Sequence, residues 1–510
     1  MVKKQFMLLN RYLKRFARMR KIEIFLLIVI LLLGISLRSP EILSRNFLFG
    51  FDQGRDYLAV REIVVEKNPT LIGPEVGAGF AGLGGIFHGP YYYYSLVPMF
   101  FLLDGHPYGG VVTMFLFGVA SLFLCFYLTQ EIFGTKAALL ATFLLAVSPR
   151  ISDQSRFMWN SHPTTFFILL AFWFTFKIFK NPTKYFFLAT FIAGIIYGFE
   201  LAISVPLIIS QFLYVWLVLK ERKMRVYLTG FLGALVAYLP FVLFELRHNF
   251  MATRSVLQIF LGFLEPGSIN ILSLLRQHLS SFEQNFEHTF LLEKWLSFLL
   301  LVFIVLATFC ILKTERIKER KKFVIYLFLL PFFTFGFFLL LNNIVWDYYL
   351  IHLHLAYIFL FAYFFSRVKF PPLQLMLCLL ILLMLPGVAK EIRRGFNDFY
   401  DEGGTAKIRN KMRAIDYIYD DAQGEDFNVL VFTPPIYDYA YRYLLQWYGG
   451  KKFGYVSGAE KKGIFYLWIE PEPSGVWHQG WLETVIKTGK VLKEETLPSG
   501  FIIQKRYAED

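Results

Sequence analysis

A chain of 510 residues that is 56% hydrophobic and 19% aromatic, with a mean hydropathy of +0.49, does not read as a soluble domain; long apolar runs of this kind are membrane spans. A net charge of +14 would point to nucleic acid in a soluble protein, but here Lys and Arg collect in cytoplasmic loops, so no nucleic-acid partner is expected. The three cysteines, Cys125, Cys310 and Cys378, all lie in apolar runs and suggest neither a disulfide framework nor a cysteine metal site.

The start, "MVKKQFMLLNRYLKRFARMRK", is basic and leads into an apolar stretch. "LLLGISLRSPEIL" is a poor cleavage site, so this stretch reads as an uncleaved first span at about 22–38. Residues 39–105 are mixed. Apolar runs then place spans 2 and 3 at about 107–132 and 136–150, and span 4 at 163–179. Spans 5 and 6 run from 184 to 219 and turn near Glu200, and span 7 covers 226–245. A polar stretch at 246–294 precedes spans 8 to 11, at 295–312, 323–341, 348–366 and 371–388.

Basic loops set the orientation. With a cytoplasmic N-terminus, "GTK", "KNPTK", "KERKMR", "KTERIKERKK" and "SRVKF" face inward. "DQGRD", "SDQSRFMWNSH", "ELRHNF" and "NNIVWDYY" face outward. The expectation is an α-helical polytopic protein of the cell membrane, with about eleven transmembrane helices over 1–389 and a small extracytoplasmic α/β domain over 390–510. In that domain "TAKIRNKMRAIDYIYDDAQG" reads as a helix ending at Gly424, and "FNVLVFTP" as a strand. "IYDYAYRYLLQWYGG" reads as a helix closed by Gly-Gly, "GIFYLWIEP" as a strand, and "GKVLKEETLPSGFIIQKR" as a hairpin.

The polar groups gather in the outward loops. "FGFDQGRDYLAVREIV" puts Asp52 and Asp56 four residues apart, on one helix face, with Arg55 beside them. Asp52 reads either as a helix N-cap or as a carboxylate base at a cavity mouth; Arg55 can hold either acid ionised. In "GGIFHGPYYYYSLVP", Tyr92 and its neighbours fit an aromatic belt, while His88 suits a phosphate or a substrate hydroxyl. "SRFMWNSHP" brings Arg156, Asn160 and His162, "FELRHNF" brings Arg247 and His248, and "NNIVWDYYLIHLH" brings Asp347 and Tyr348. His352 and His354 diverge on a helix, so each is expected to be a buried, hydrogen-bonded side chain and not half of a metal site. Such groups on one side of a membrane suit a substrate with a phosphate, a polar head and a lipid tail.

"FDQGRDYLAVREIV" resembles the first-loop acidic motif of the GT-C glycosyltransferases, the fold of protein mannosyltransferases and of the lipid A aminoarabinose transferase. Asp52 occupies the Asp position, Gln53 replaces the second acid, and Arg55 matches the Arg. "HGPYYYYSLVP" is similar to their Lys-Pro-Pro-Leu-Tyr-Tyr stretch, with His88 in the Lys place and Pro90 matching a proline. "SRFMWNSHP" resembles the segment before the fourth span. The resemblance covers residues 1–390 and leaves the C-terminal domain unassigned.

The resemblance implies a transferase that takes a sugar from a polyprenyl-phosphate donor to an extracytoplasmic acceptor (protein, lipid or glycan), by inversion, with Asp52 as general base. Asp56 stands in for the missing second acid. Arg55, His88, Tyr92, Arg156, Asn160, His162, Arg247, His248, Asp347 and Tyr348 would bind the donor's sugar phosphate, with His88, Arg156 and Arg247 the candidates for the phosphate itself. No metal ligands are assigned, and a divalent cation is left open. A transporter or flippase is the competing class, since acids and histidines also mark ion pathways; clustering of the polar groups at one membrane face favours the enzyme. A non-catalytic glycan-binding scaffold would leave the Asp52 cluster unexplained.

Overall fold

The computed structural model describes residues 19–79, 84–264, 271–340, 345–434 and 437–509. The basic stretch 1–18, and Asn342, Asn343 and Ile344 of the loop expected before span 10, lie outside the described residues. Helix α1 (Lys21–Ser36) leads to a polar segment that folds into α2 (Phe51–Val64) and α3 (Tyr91–Leu102). The bundle continues through α4 (Tyr108–Phe133), α5 (Thr135–Val147), α6 (Thr164–Lys177), α7 (Pro182–Ile195), α8 (Leu201–Leu213), α9 (Met224–Ala237) and α10 (Leu239–Arg247). It closes with α11 (Met251–Leu264), α12 (Ile271–Phe290), α13 (Lys294–Thr314), α14 (Lys318–Phe338), α15 (Ile351–Arg367) and α16 (Pro371–Tyr400).

This is a multi-pass membrane protein. Among the described residues, six helices are long and apolar enough to cross a bilayer. They are α4, α8 with its wide turn to Val218, α13, α14, α15 with the turn from Asp347, and α16. Helices α9 and α10 make a seventh if the pair, bent by 62°, is one span. The bend has a local cause: Pro240 sits in the first turn of α10, where its ring is tolerated only because a new helix starts there. The other four expected spans fall on α1, α5, α6 and α7, which have 16, 13, 14 and 14 residues. These are apolar but shorter than the usual ~20-residue crossing. The stretch expected to be polar, 246–294, is largely helical in α11 and α12, each apolar along one face.

Helix α15 is buried from Ile351 to Phe364 at the centre of the bundle core. Its histidines find separate partners, as their spacing predicts. His352 Nε2 lies 2.8 Å from the Thr334 hydroxyl on α14, and His354 Nδ1 lies 2.6 Å from the Thr289 hydroxyl on α12.

Beyond α16 come α17 (Ile408–Ala422), β1 (Asn428–Phe432), α18 (Tyr439–Leu444), β2 (Gly463–Ile469), α19 (Val476–Trp481), β3 (Lys490–Thr496) and β4 (Ile502–Ala508). The sheet order is β1-β2-β4-β3, with β1 parallel to β2 and the other pairs antiparallel. The parallel pair needs a crossover, which α18 supplies; β3 and β4 are the expected hairpin. The helix expected to close at Gly-Gly does not. It continues from α18 through Leu445–Gly449 and Gly450–Phe453 and ends at Gly454, whose φ of 72° suits glycine. Helix α16 runs unbroken across the boundary expected at 390.

The C-terminal unit sits directly on α2. A Cβ at Gly54 would run into the Ala440 backbone, so only glycine allows α2 and α18 to approach this closely. Phe49 N donates to the Ala406 carbonyl at 3.1 Å, and Ile408 N donates to the Phe47 carbonyl at 2.9 Å. Phe49, Tyr57, Tyr443 and Trp468 share one buried core.

Candidate active site

Helix α2 is capped at Gly50, two residues earlier than an Asp52 N-cap would place it. Gln53 closes that start: its Oε1 accepts from Gly50 N at 2.9 Å, and its Nε2 donates to the Met158 carbonyl at 2.7 Å. Asp52 is thereby left in the first turn, with its side chain 36% exposed and no capping bond. Arg55 lies between the two acids. Its Nη1 is 2.9 Å from Asp52 Oδ1 and its Nη2 is 2.8 Å from Asp56 Oδ1. Asp56 is wholly buried, and burial pushes its carboxyl up to about 6 against the pull of the Arg55 guanidinium. Asp56 therefore anchors Arg55 from behind, while Asp52 faces open space.

That space is a cavity of about 440 Å³. Phe51, Asp52 and Arg55 line it from α2, and Pro74, Glu75, Gly77 and His88 from the segment leading to α3. Trp159 and Asn160 enter from before α6, Glu200 from before α8, Tyr348 and Tyr349 from before α15, and Tyr437 from the C-terminal unit. Arg55 is the only Arg or Lys among the described residues lining it.

His88 is a strut and not a free cation. Its Nδ1 accepts from Leu201 N at 3.3 Å, its ring also meets the Tyr197 carbonyl, and burial pushes it down to about 3. The next residue has to be glycine, since a Cβ at Gly89 would strike the Tyr197 ring. Asn160 Nδ2 donates to the Phe199 carbonyl at 2.7 Å. Together they fix the turn that presents Glu200. Glu200 is 2% exposed; its Oε1 accepts from Ala202 N at 3.2 Å, and burial pushes its carboxyl up to about 8.

Of the residues singled out in the sequence, Asp52, Arg55, His88, Asn160 and Tyr348 line this cavity, and Tyr92 lies buried beside Asp56. The others do not line it. Arg156 is locked between Glu41 at 2.6 Å and Asp398 at 2.7 Å. His162 is buried, with Nδ1 2.7 Å from the Phe157 carbonyl, and burial pushes it down to about 3. Arg247 is exposed at the end of α10, and His248 stacks on Phe244 with Nδ1 2.8 Å from its carbonyl. Asp347 belongs to a separate cluster, accepting from Arg150 Nε at 2.6 Å and Asn285 Nδ2 at 2.8 Å. Glu75, Glu200 and Tyr437 were not singled out. Glu200 did carry a signal, as the lone acid between two apolar runs, where acids are functional by default. Tyr437 carried none, since only the fold of the C-terminal unit brings it here.

No group of three or more His, Cys, Asp or Glu among the described residues is arranged to hold a metal ion. Asp52 and Asp56 share the Arg55 guanidinium.

Residues 88–244 match a family model described as dolichyl-phosphate-mannose-protein mannosyltransferase. That stretch carries His88, Asn160 and Glu200. ArnT from Cupriavidus metallidurans, solved in the apo state, superposes with a TM-score of 0.58 at 12% identity, covering 94% of this chain and 97% of that one. The archaeal oligosaccharyltransferase AglB from Archaeoglobus fulgidus, in complex with an inhibitory peptide and a dolichol-phosphate, superposes with a TM-score of 0.51 at 16% identity, covering 95% of this chain and 74% of that one. Both are GT-C fold glycosyltransferases.

The chain has the GT-C fold. The likeness runs past the motifs of the first 390 residues, since 94% coverage takes in most of the C-terminal unit as well. No curated sequence matches this chain. Within the GT-C frame the cavity lies where the first polar segment, the loops before α6, α8 and α15, and the C-terminal unit converge.

Proposed function

We propose that this GT-C protein is a membrane glycosyltransferase that moves a sugar from a polyprenyl-phosphate donor to an acceptor on the outer side of the membrane, by inversion, with Asp52 as general base. One observation carries the reading: Asp52 stands part-exposed on the wall of a 440 Å³ cavity, beside Arg55, in a fold shared with lipid-linked sugar transferases. The matched family description, with its dolichyl-phosphate mannose, supports a polyprenyl-phosphate donor.

The acceptor hydroxyl gives its proton to an Asp52 oxygen. Its oxygen attacks the anomeric carbon from the face opposite the phosphate. The anomeric C–O bond to phosphate breaks, and the polyprenyl phosphate leaves with the electron pair. Arg55 takes up the charge on that phosphate, a task in which a preorganised cation is worth most in a cavity shielded from water. His88, Arg156 and Arg247, the phosphate candidates of the sequence, are replaced in this role by Arg55: the first is a neutral strut, the second is paired elsewhere, and the third lies off the cavity wall. Asp56 positions Arg55.

The test uses purified protein in lipid vesicles with a panel of polyprenyl-phosphate sugars, following donor consumption by transfer or slow hydrolysis. General-base assistance contributes about 10²–10⁴-fold, so Asp52→Asn is expected to lose that much turnover while folding and binding donor normally. Turnover at the parental rate in Asp52→Asn sinks the assignment. Failure of the folded parent to bind or turn over any donor favours the transporter reading.

A further inference from the structure

Glu200 has no place in the mechanism above, yet it shares the cavity wall with Asp52. It is also the cavity's most deeply buried acid, at 2% exposed. One oxygen accepts a weak bond from Ala202 N at 3.2 Å, the geometry of a helix cap. Glutamate is not among the favoured capping residues, which are short, so the cap alone does not account for an acid here. The groups facing it are Tyr348 and Tyr349 from the turn before α15, His88 through Leu201 N, and Asp52, Arg55 and Glu75 across the cavity. The single guanidinium among these is engaged by Asp52 and Asp56. No described cation pairs with Glu200, and ionising it in this wall carries a desolvation cost that the single Ala202 bond only partly offsets.

We propose that Glu200 acts as an un-ionised carboxylic acid that donates a hydrogen bond to a phosphoryl oxygen of the lipid-linked donor, from the cavity wall it shares with Asp52. The inference rests on the proposed function and deepens it. A phosphodiester brings one negative charge into a cavity that already holds Asp52 and Glu75 and one Arg. An ionised Glu200 would repel it; a protonated one supplies the O–H donor that the crowded guanidinium cannot give to every phosphate oxygen. Burial holds Glu200 protonated up to about pH 8. Its proton is present below that pH and lost as pH rises through it, so donor affinity should fall on the alkaline side.

The experiment measures binding of polyprenyl-phosphate mannose, whose diester does not titrate between pH 6 and 9, to protein in vesicles. Parent, Glu200→Gln and Glu200→Ala are compared across that range. The parent should lose about tenfold in affinity between pH 7 and 9. Glu200→Gln keeps both the capping acceptor and a neutral donor, so it should bind within about threefold of the parent at pH 7 and stay flat with pH. Glu200→Ala should bind at least tenfold more weakly at pH 7 and also stay flat. An alkaline loss that persists in Glu200→Gln, or parental affinity in Glu200→Ala, overturns the role; a cap alone would change stability and leave the pH profile where it was. PH-independent binding by the parent overturns Glu200 while leaving the lipid-phosphate reading intact. No binding by the folded parent overturns both.

Discussion

At the residue scale the sharpest contrast is between two arginines. Arg55 finds its carboxylates one and three positions away on its own helix, so its pairing was readable from spacing alone. Arg156 is buried against Glu41, 115 residues away, and Asp398, 242 residues away. No local pattern announces such partners, and an outward-loop arginine free of visible neighbours reads as a phosphate ligand. Breaking a buried ion pair from one side leaves the other charge uncompensated, at a cost of roughly 3–5 kcal/mol. Arg156→Ala is therefore expected to lower thermal stability in detergent by an amount of that order. Donor affinity in the folded fraction should stay parental, and a loss of binding without a loss of stability would return Arg156 to the site. Glu200 was passed over for a different reason: a single acid between two apolar runs was read as marking the turn, and burial in the cavity wall adds to that signal.

Among the elements, long apolar runs gave helices close to where they were expected, since a bilayer demands internally satisfied backbone. The polar stretch between α10 and α13 was less legible, because one-sided apolar helices dilute their hydropathy along the sequence. The seating of α18 on α2 was not legible at all. Gly54, in the middle of the acidic motif, looks like a helix defect until Ala440 is placed against it. Overpacking such a contact typically costs ~1–3 kcal/mol. Gly54→Leu is expected to prise α18 from α2 and withdraw Tyr437 from the cavity. Limited proteolysis should then release fragments of the C-terminal unit that the parent protects, and transfer to acceptor should fall at least tenfold. Parental protection and parental transfer would mean that the contact is not needed.

On the scale of the whole molecule, the charge of the loops predicts which way the bundle faces. Arg222 lies in an exposed loop before α9, and Glu460 is exposed in the C-terminal unit. With single cysteines at these sites, on a background lacking the three native ones, Glu460→Cys should react with a membrane-impermeant thiol reagent in intact cells. Arg222→Cys should react only after permeabilisation. The opposite pattern would invert the topology and put the cavity in the cytoplasm.

Helix α16 gives this arrangement a further property. Its first 18 residues, 371–388, carry no charge, and they rise about 27 Å at 1.5 Å per residue. The charged turns follow at once: Lys390, Glu391, Arg393 and Arg394, then Asp398, which grips Arg156. One unbroken rod thus ties the depth of the hydrocarbon layer to the height at which the C-terminal unit and the second polar loop are held. A bilayer much thinner than ~27 Å would tilt the rod, and a much thicker one would thin locally or draw the flanking charges toward lipid. The length of that rod therefore suits one range of lipid chain lengths and is strained outside it.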